Sequence, residues 1–476
     1  MKTPLVSRFF RRKPVVVSSR SYPYELLIAI FQKLLDPYDC YSSSFLYELP
    51  HRVFDTGFFS TKFNRTDLLS AALVCKTWYI AAIDLLYISP RTCSPRHLKL
   101  LEKVLKRNPS FSSHVKGLTL IDERDWPIWT SIKHLFFGIE LDQKPPLSQS
   151  RLSRIHRILK MCPYVDTLSL LRITWFDEEP LPLSSYFPVH IGLHKRLRVL
   201  AISDLYVASL ASLSIIPGVE FSALEILQLR SIQVRDRPHL EASSIEGPPI
   251  QIRFPRLQVL QIAFSPFHDE GIPDTMDITS HAFPQLDTLE LHSVWGYPRI
   301  EPSCLRQLKK LYVFSHDDQD VPTDWWAGGQ LDGIQDLTLP CQFFSSSRVT
   351  VLKTLSLPQG LRTLRLLSFS SRRYLYEFCA RPPTYPEELQ DFKTCADWLW
   401  YQQSRFPSNL NMIEVLHCLE KPQPGSEGFD AFLVILNRFE DVCKQHGLMF
   451  RTVYRLLDGL NRRDEGEWIV DKEIFP

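Results

Sequence analysis

Apolar residues along the chain fall into two kinds of pattern. Near the N-terminus they recur at helical spacing. In YPYELLIAIFQKLLD, Tyr22 to Asp36, the residues Leu26, Leu27, Ile30, Phe31 and Leu34 form an apolar face. Pro23 suits the opening position of that helix, Glu25 the positive end of its first turn, and Asp36-Pro37 stops it. A second stretch, Asp67 to Tyr87, places Leu68, Leu69, Ala72 and Leu73 along one face behind a Thr66/Asp67 N-cap signal, followed by Trp78, Ala82 and Leu86. Helices this short are marginal alone and must pack on one another or on a partner.

After a helix predicted over Pro95 to Lys106, with Leu98, Leu101 and Leu105 on one face, the pattern changes. The frame apolar-x-x-apolar-x-apolar begins with Val115-Leu118-Leu120 and returns as Val165-Leu168-Leu170, Leu197-Leu200-Ile202, Leu224-Leu227-Leu229, Leu257-Leu260-Ile262, Leu286-Leu289-Leu291, Leu308-Leu311-Val313, Ile334-Leu337-Leu339, Leu361-Leu364-Leu366 and Leu410-Ile413-Val415. The alternating pair that ends each frame reads as a short strand with its apolar side chains turned into a core, so stacked copies predict a parallel sheet and an α/β fold. The return legs are helical, as at Leu152, Ile155 and Leu159 before Cys162-Pro163, or short and Pro-rich, as at Arg237 to Pro255. Leu352-Leu355-Leu357 also fits the frame, nine residues before Leu361, and one of these two must be loop. Residues 372–405 interrupt the array with an aromatic-rich insert. Its Pro386 to Ser404 portion reads as a helix whose Trp398, Trp400 and Tyr401 are either a wedge for a partner or a plug for the last repeats. A helix over Phe429 to Lys444 leads into Leu448 to Val453 as a terminal cap, and the polar tail from Asp458 is expected to be loose.

Composition narrows the picture. The 476 residues are 44% hydrophobic, enough for two or three packed domains or one long repeat array. No uninterrupted apolar run approaches the ~20 residues of a membrane span, and the N-terminus lacks the apolar core of a secretory signal, so no membrane association is expected. Ten cysteines without a Cys-x-x-Cys pair suggest neither a zinc site nor a disulfide framework, which points to cytoplasm or nucleus. Residues 1–20 hold six basic side chains and no acid; setting them aside leaves 49 basic against 53 acidic residues. A mildly acidic body argues against nucleic-acid binding. The basic leader fits a disordered arm, a nuclear signal around Arg11 to Lys13, or a transit peptide, and Pro4 and Pro14 favour the disordered arm.

The two N-terminal stretches resemble the F-box, a helical module written Leu-Pro-x-Glu-Leu-Leu, then Ile-Phe, then a late Leu-Val-Cys-x-x-Trp. Pro23, Glu25, Leu26, Leu27, Ile30, Phe31 and Leu34 match its first half, and Leu73, Val74, Cys75, Lys76 and Trp78 its second. Tyr22 stands where the family has Leu, and residues 37–66 form an insertion between halves that normally nearly touch; such a surface insertion is entropically cheap. The repeats resemble the degenerate leucine-rich repeats of fungal F-box proteins, lacking the usual Asn or Cys after the frame in most copies. The resemblance implies an N-terminal all-α F-box at 21–90, a leucine-rich-repeat-like solenoid at 95–420, and a cap and tail at 421–476. It also implies a non-catalytic substrate receptor. Such a protein docks on a Skp-type adaptor, and through it a cullin, using Pro23, Leu26, Ile30, Leu73 and Val74, with Trp78 and Cys75 inside. On the repeats, the residues pointing away from the core, Gln228, Arg230, Gln261, Glu290, His292, Tyr312, Phe314 and Arg365, form the expected target-binding face. A scaffold acting outside ubiquitination fits the same residues.

Catalytic signatures are missing from the sequence. It holds no phosphate loop, Gly-x-Ser-x-Gly elbow or His-Glu-x-x-His helix, and Asp317-Asp318-Gln-Asp320 lacks the Gly and the distant Glu of a calcium loop. The expectation is therefore no cofactor and no metal. An enzyme would need a pocket of converging polar groups that only a structure reveals.

Overall fold

The computed structural model describes residues 23–34, 70–88, 90–92, 95–121, 149–171, 195–203, 206–207, 221–234, 253–264, 277–293, 298–315, 325–326, 329–344, 356–367, 385–417, 425, 428–456 and 467–474. The basic arm, the 37–66 insertion, residues 237–252 of the Pro-rich return leg, residues 317–320, Leu352, Leu355 and residues 372–384 lie outside them.

The fold is α/β, built on one long, mostly parallel sheet. Its strands are β1 (Arg91–Thr92), β2 (Gly117–Ile121), β3 (Thr167–Leu171), β4 (Val199–Ser203), β5 (Tyr206–Val207), β6 (Ile226–Val234) and β7 (Val259–Phe264). A small pair, β8 (Asp277–Ile278) and β10 (Arg299–Ile300), stands apart, and the main sheet continues through β9 (Thr288–Ser293), β11 (Lys310–Ser315), β12 (Asp336–Pro340), β13 (Thr363–Leu367), β14 (Met412–His417), β15 (Met449–Leu456) and β16 (Glu467–Ile474). The order is β1-β2-β3-β4-β6-β7-β9-β11-β12-β13-β14-β15-β16, with β5 beside β6 and only β16 antiparallel. Eight helices accompany it among the described residues: α1 (Tyr24–Leu34), α2 (Lys76–Ile88), α3 (Pro95–Arg107), α4 (Pro109–His114), α5 (Gln149–Met161), α6 (Pro302–Gln307), α7 (Tyr385–Gln402) and α8 (Phe429–Gln445).

Every one of the ten frames supplies a strand of this sheet, and all thirty frame positions are buried. Registers run frame on frame: Leu118 opposes Leu168, Leu168 opposes Leu200, and so on to Leu364 opposite Ile413. Just before each strand a backbone N–H donates to the repeat behind it. Arg198 donates to Asp166, Glu225 to Arg198, Gln258 to Glu225, Asp287 to Gln258, Lys309 to Asp287, Gln335 to Lys309, Arg362 to Gln335 and Asn411 to Arg362, at 2.7 to 3.0 Å. This ladder satisfies backbone groups that a bend would otherwise leave buried and unpaired. Successive bends approach so closely that a Cβ on Gly360 would lie 2.6 Å from the Asp332 carbonyl oxygen. Of the two competing frames near residue 360, the one at Leu361 carries the strand, and Leu357 is a buried loop residue.

α3 and α5 pack side by side, and Glu102 ties them together. It accepts from Arg154 Nε at 2.9 Å, Arg157 Nε at 2.8 Å and Lys106 Nζ at 2.7 Å. The hydrogen bond from Arg157 leads these donors in holding the Glu102 carboxyl down to about 2, against the opposing effect of burial. A folded-state pKa below the ordinary 4.5 means the stabilisation is present above pH 4.5 and is lost as pH falls toward 2. Because Arg157 and Lys106 are about half exposed, screening trims the effect. Glu102→Gln is expected to cost about 1 kcal/mol in chemical denaturation at pH 7, with the gap from the parent closing as the pH approaches 2.

At the far end, α7 and α8 cover the last strands. Phe344 meets Trp398 at 4.5 Å, Phe392 stacks on Phe439 at 4.9 Å, and Phe439 lies 6.2 Å from Phe450. Trp398 is thus a plug for the core, Trp400 lies under Arg438 at 5.8 Å, and Tyr401 alone of the three is exposed. The tail departs from expectation. Glu467–Ile474 is a strand antiparallel to β15, because the open edge of β15 offers unpaired backbone groups to a segment with Trp468, Ile469 and Val470.

Candidate functional site

The N-terminal helices stand on a core of their own. Leu27 and Phe31 of α1 pack against Ala71, Ala72, Ala81, Ala82 and Leu85, with Trp78 partly buried against them and edge-on to Phe31 at 5.2 Å. Four alanines in this contact let the helices approach closely. The apolar face read for α1 is therefore two faces. Leu27 and Phe31 turn inward, while Pro23, Leu26 and Ile30, spaced three and four residues apart, turn outward together.

The second stretch is broken at the end of its first apolar series. A helical turn ends at Ala72, Leu73 and Val74 form a turn closed by Leu73 N–H to Ser70 O and Val74 N–H to Ala71 O, both at 3.1 Å, and α2 starts at Lys76. Leu73 therefore lies off the helical face assigned to it. Exposure is 45% for Leu26, 43% for Ile30, 73% for Leu73 and 61% for Val74, large values for aliphatic side chains. Cys75 is exposed as well, contrary to the expected small buried residue, because the break turns it out at the start of α2.

Three further exposed apolar side chains, Tyr24, Tyr79 and Ile80, were missed by the sequence reading. For Tyr79 and Ile80 the signal was available, since α2 is apolar nearly all round and one helix face cannot bury all of it. Tyr24 donates to Asp84 Oδ2 at 2.5 Å, a bond that pushes the phenol up to about 12 and joins α1 to α2. The unit is also fixed to the sheet. Tyr87 stacks on Phe111 of α4 at 4.4 Å, Lys116 N–H donates to Ile88 O at 2.8 Å, and β1 follows almost at once.

The sheet face expected to bind a target is different in kind. Gln228, Gln261, Glu290, Tyr312, Thr338, Arg365, Glu414 and Arg451 stand opposite one another on consecutive strands β6, β7, β9, β11, β12, β13, β14 and β15. All but Arg451 are buried, Gln228, Tyr312 and Thr338 completely. The expected open surface at Gln228, Gln261, Glu290, Tyr312 and Arg365 is thus corrected. Side chains in a row spaced by the ~4.8 Å between strands cover one another, and polar pairs draw them in. Gln261 Nε2 donates to Glu290 at 2.9 Å, Arg365 Nε to Glu414 at 2.7 Å, and Arg451 reaches Glu414 at 3.5 Å. Burial pushes the Tyr312 phenol up. The side chains of Arg230, His292 and Phe314 lie outside the described residues.

Among the described residues no group of three or more His, Cys, Asp or Glu is placed to hold a metal ion, and no helix is long and apolar enough to cross a membrane. Comparison with protein-family models returns no match, and neither does comparison with curated proteins. The surface with the clearest chemical character is the apolar one around Leu26, Ile30, Leu73 and Val74. It can bury aliphatic area against another protein.

Proposed function

We propose that the chain is an F-box substrate receptor of a Skp/cullin/F-box ubiquitin ligase. One observation carries this reading. The residues that match the F-box pattern divide into Leu27, Phe31 and Trp78 within the helical core and Pro23, Leu26, Ile30, Leu73 and Val74 outside it, which is the division an adaptor-docking module needs. Burying each exposed aliphatic would contribute about 1 to 2 kcal/mol toward association. The ten registered frames support a leucine-rich-repeat-like solenoid as the target-presenting part, its sheet fixed to the docking helices through Tyr87 and Phe111. The protein would act by proximity, raising the effective concentration of a target near the charged ubiquitin carrier. Because the middle row is buried, target contacts fall on other positions of the array. Affinity purification of the full chain from cells with the proteasome inhibited tests the assignment: an adaptor and a cullin should co-purify, and their absence would count against it.

A further inference from the structure

The formal charge of the chain is spread unevenly. α3 and α5 carry nine Lys or Arg between them against one acid, Glu102, a net charge of +8 in a chain whose total is +2. Everything else therefore sums to −6, and the mildly acidic average hides a basic region. Packing gathers these charges on one side. Leu98, Leu101 and Leu105 of α3 and Ile155, Ile158 and Leu159 of α5 are buried in the core, which leaves the cations to the outer face of a helix pair lying side by side.

Glu102 cannot neutralise them. It is buried between the helices and already shared by Lys106, Arg154 and Arg157 at 2.7 to 2.9 Å, so that quartet alone keeps a surplus of two. Arg96, Lys99, Lys103, Arg107 and Lys160 are exposed and make no ion pair with any described residue. α4, which packs against α3, contributes no acid. The stretches flanking α5 in sequence lie outside the described residues: 122–148 has five acids and three bases, 172–194 three acids and one base, a net −2 each. Both together would leave four of the eight surplus charges unmatched. On α3 the exposed side chains Arg96, Leu100, Lys103 and Arg107 follow one another at three or four residues, one per ~5.4 Å turn, with Lys99 beside them.

We propose that the outer face of α3 and α5 binds an acidic segment of another protein, one that presents Asp or Glu at each turn of a helix or at alternate positions of an extended chain. Two features favour protein over nucleic acid. Leu100, 57% exposed, stands within the charged line, where it can bury against an aliphatic side chain and gains nothing from a phosphate backbone. Neither helix carries an aromatic ring on which a base could stack. Glu102 already holds Lys106, Arg154 and Arg157 in place, so ordering those side chains on binding costs little. The surface follows from charge and packing; that its occupant is a target for ubiquitination rests on the substrate-receptor reading.

Fluorescence anisotropy of the full chain, without adaptor, tests this with a labelled Glu-rich peptide carrying a central leucine and with its Gln-for-Glu counterpart. The Glu peptide is expected to bind saturably and less tightly as salt is raised, and the Gln peptide about tenfold more weakly or worse. Lys99→Glu combined with Lys103→Glu should weaken the Glu peptide by about tenfold or more, since each reversal removes an attraction and adds a repulsion. Both side chains are exposed and unpaired, so the variant is expected to fold, which circular dichroism checks. Arg253→Glu with Arg256→Glu makes the same charge change at exposed positions elsewhere on the array and should alter affinity by less than about twofold. No saturable binding by the parent, an equal loss in both double variants, or tighter binding of duplex DNA or RNA than of the Glu peptide would overturn the proposal. Peptide binding at this face by a chain that captures no adaptor would keep the surface and count against the substrate-receptor reading alone.

Discussion

Leu26→Asp combined with Ile30→Asp is expected to abolish capture of a Skp-type adaptor while the protein remains folded. Both side chains point outward from α1, one helical turn apart, and neither belongs to the core of Leu27, Phe31 and the four alanines. In the free protein a carboxylate at either position is solvated, and the change in stability should stay within about 1 kcal/mol. In a complex the same carboxylates would be buried against an apolar partner, losing about 1 to 2 kcal/mol of burial each and adding a desolvation cost of several kcal/mol. A loss of a thousandfold or more in affinity follows, since about 4 kcal/mol corresponds to that factor. Leu27→Asp is the contrasting control. It places a charge inside the small helical core and should unfold that unit. A double variant that is folded by circular dichroism and still binds the adaptor would remove the docking face from this surface.

The second large effect is at Tyr312. A sequence-based reading treats its ring as an exposed part of a recognition face, where serine would be harmless. The ring is fully buried in the middle of the sheet, so Tyr312→Ser is expected to cost about 3 to 5 kcal/mol by chemical denaturation, as for other large-to-small changes in a core. Tyr312→Phe separates the ring from the hydroxyl. That hydroxyl makes no hydrogen bond of good geometry, although the Arg365 guanidinium lies near it, so its removal should change stability by less than about 1 kcal/mol. A serine variant as stable as the parent would show that the ring is in fact accessible.

These two residues also show where the sequence was legible. The frame that marks each strand is a statement about one face, and it placed Leu118 through Val415 in the core because apolar side chains at alternate positions have nowhere else to go. The same frame extends three residues earlier than its pattern suggests. Phe221, Phe254 and Phe283 precede their frames by three residues, stack on one another at 6.1 and 5.6 Å, and offer their carbonyls to the first frame residue. A search for apolar-x-x-apolar repeated once more would have found them. The opposite face was misjudged because alternation says only that Gln228, Tyr312 and Arg365 point away from the core. Whether that side is open depends on row spacing and on ion pairs between strands far apart in sequence, such as Arg365 with Glu414.

At the candidate docking site, the motif named the right side chains for exposure, and helical period alone would have grouped Leu26 with Leu27 and Ile30 with Phe31. The ~100° between neighbouring residues on a helix is what sends one of each pair inward and the other outward. The turn at Leu73 and Val74 and the exposure of Cys75 were not legible, since Asp67 to Tyr87 carries no Gly or Pro to announce a break.

The most direct measurement is a titration of the purified full-length chain with a purified Skp-type adaptor, with hydrogen exchange recorded on the complex. A saturable one-to-one complex is predicted, with new protection confined to α1, the Leu73-Val74 turn and the start of α2, while the sheet exchanges as before. No binding, or binding whose protection falls on the sheet or on α7 and α8 and leaves Leu26, Ile30, Leu73 and Val74 unprotected, would contradict the assignment.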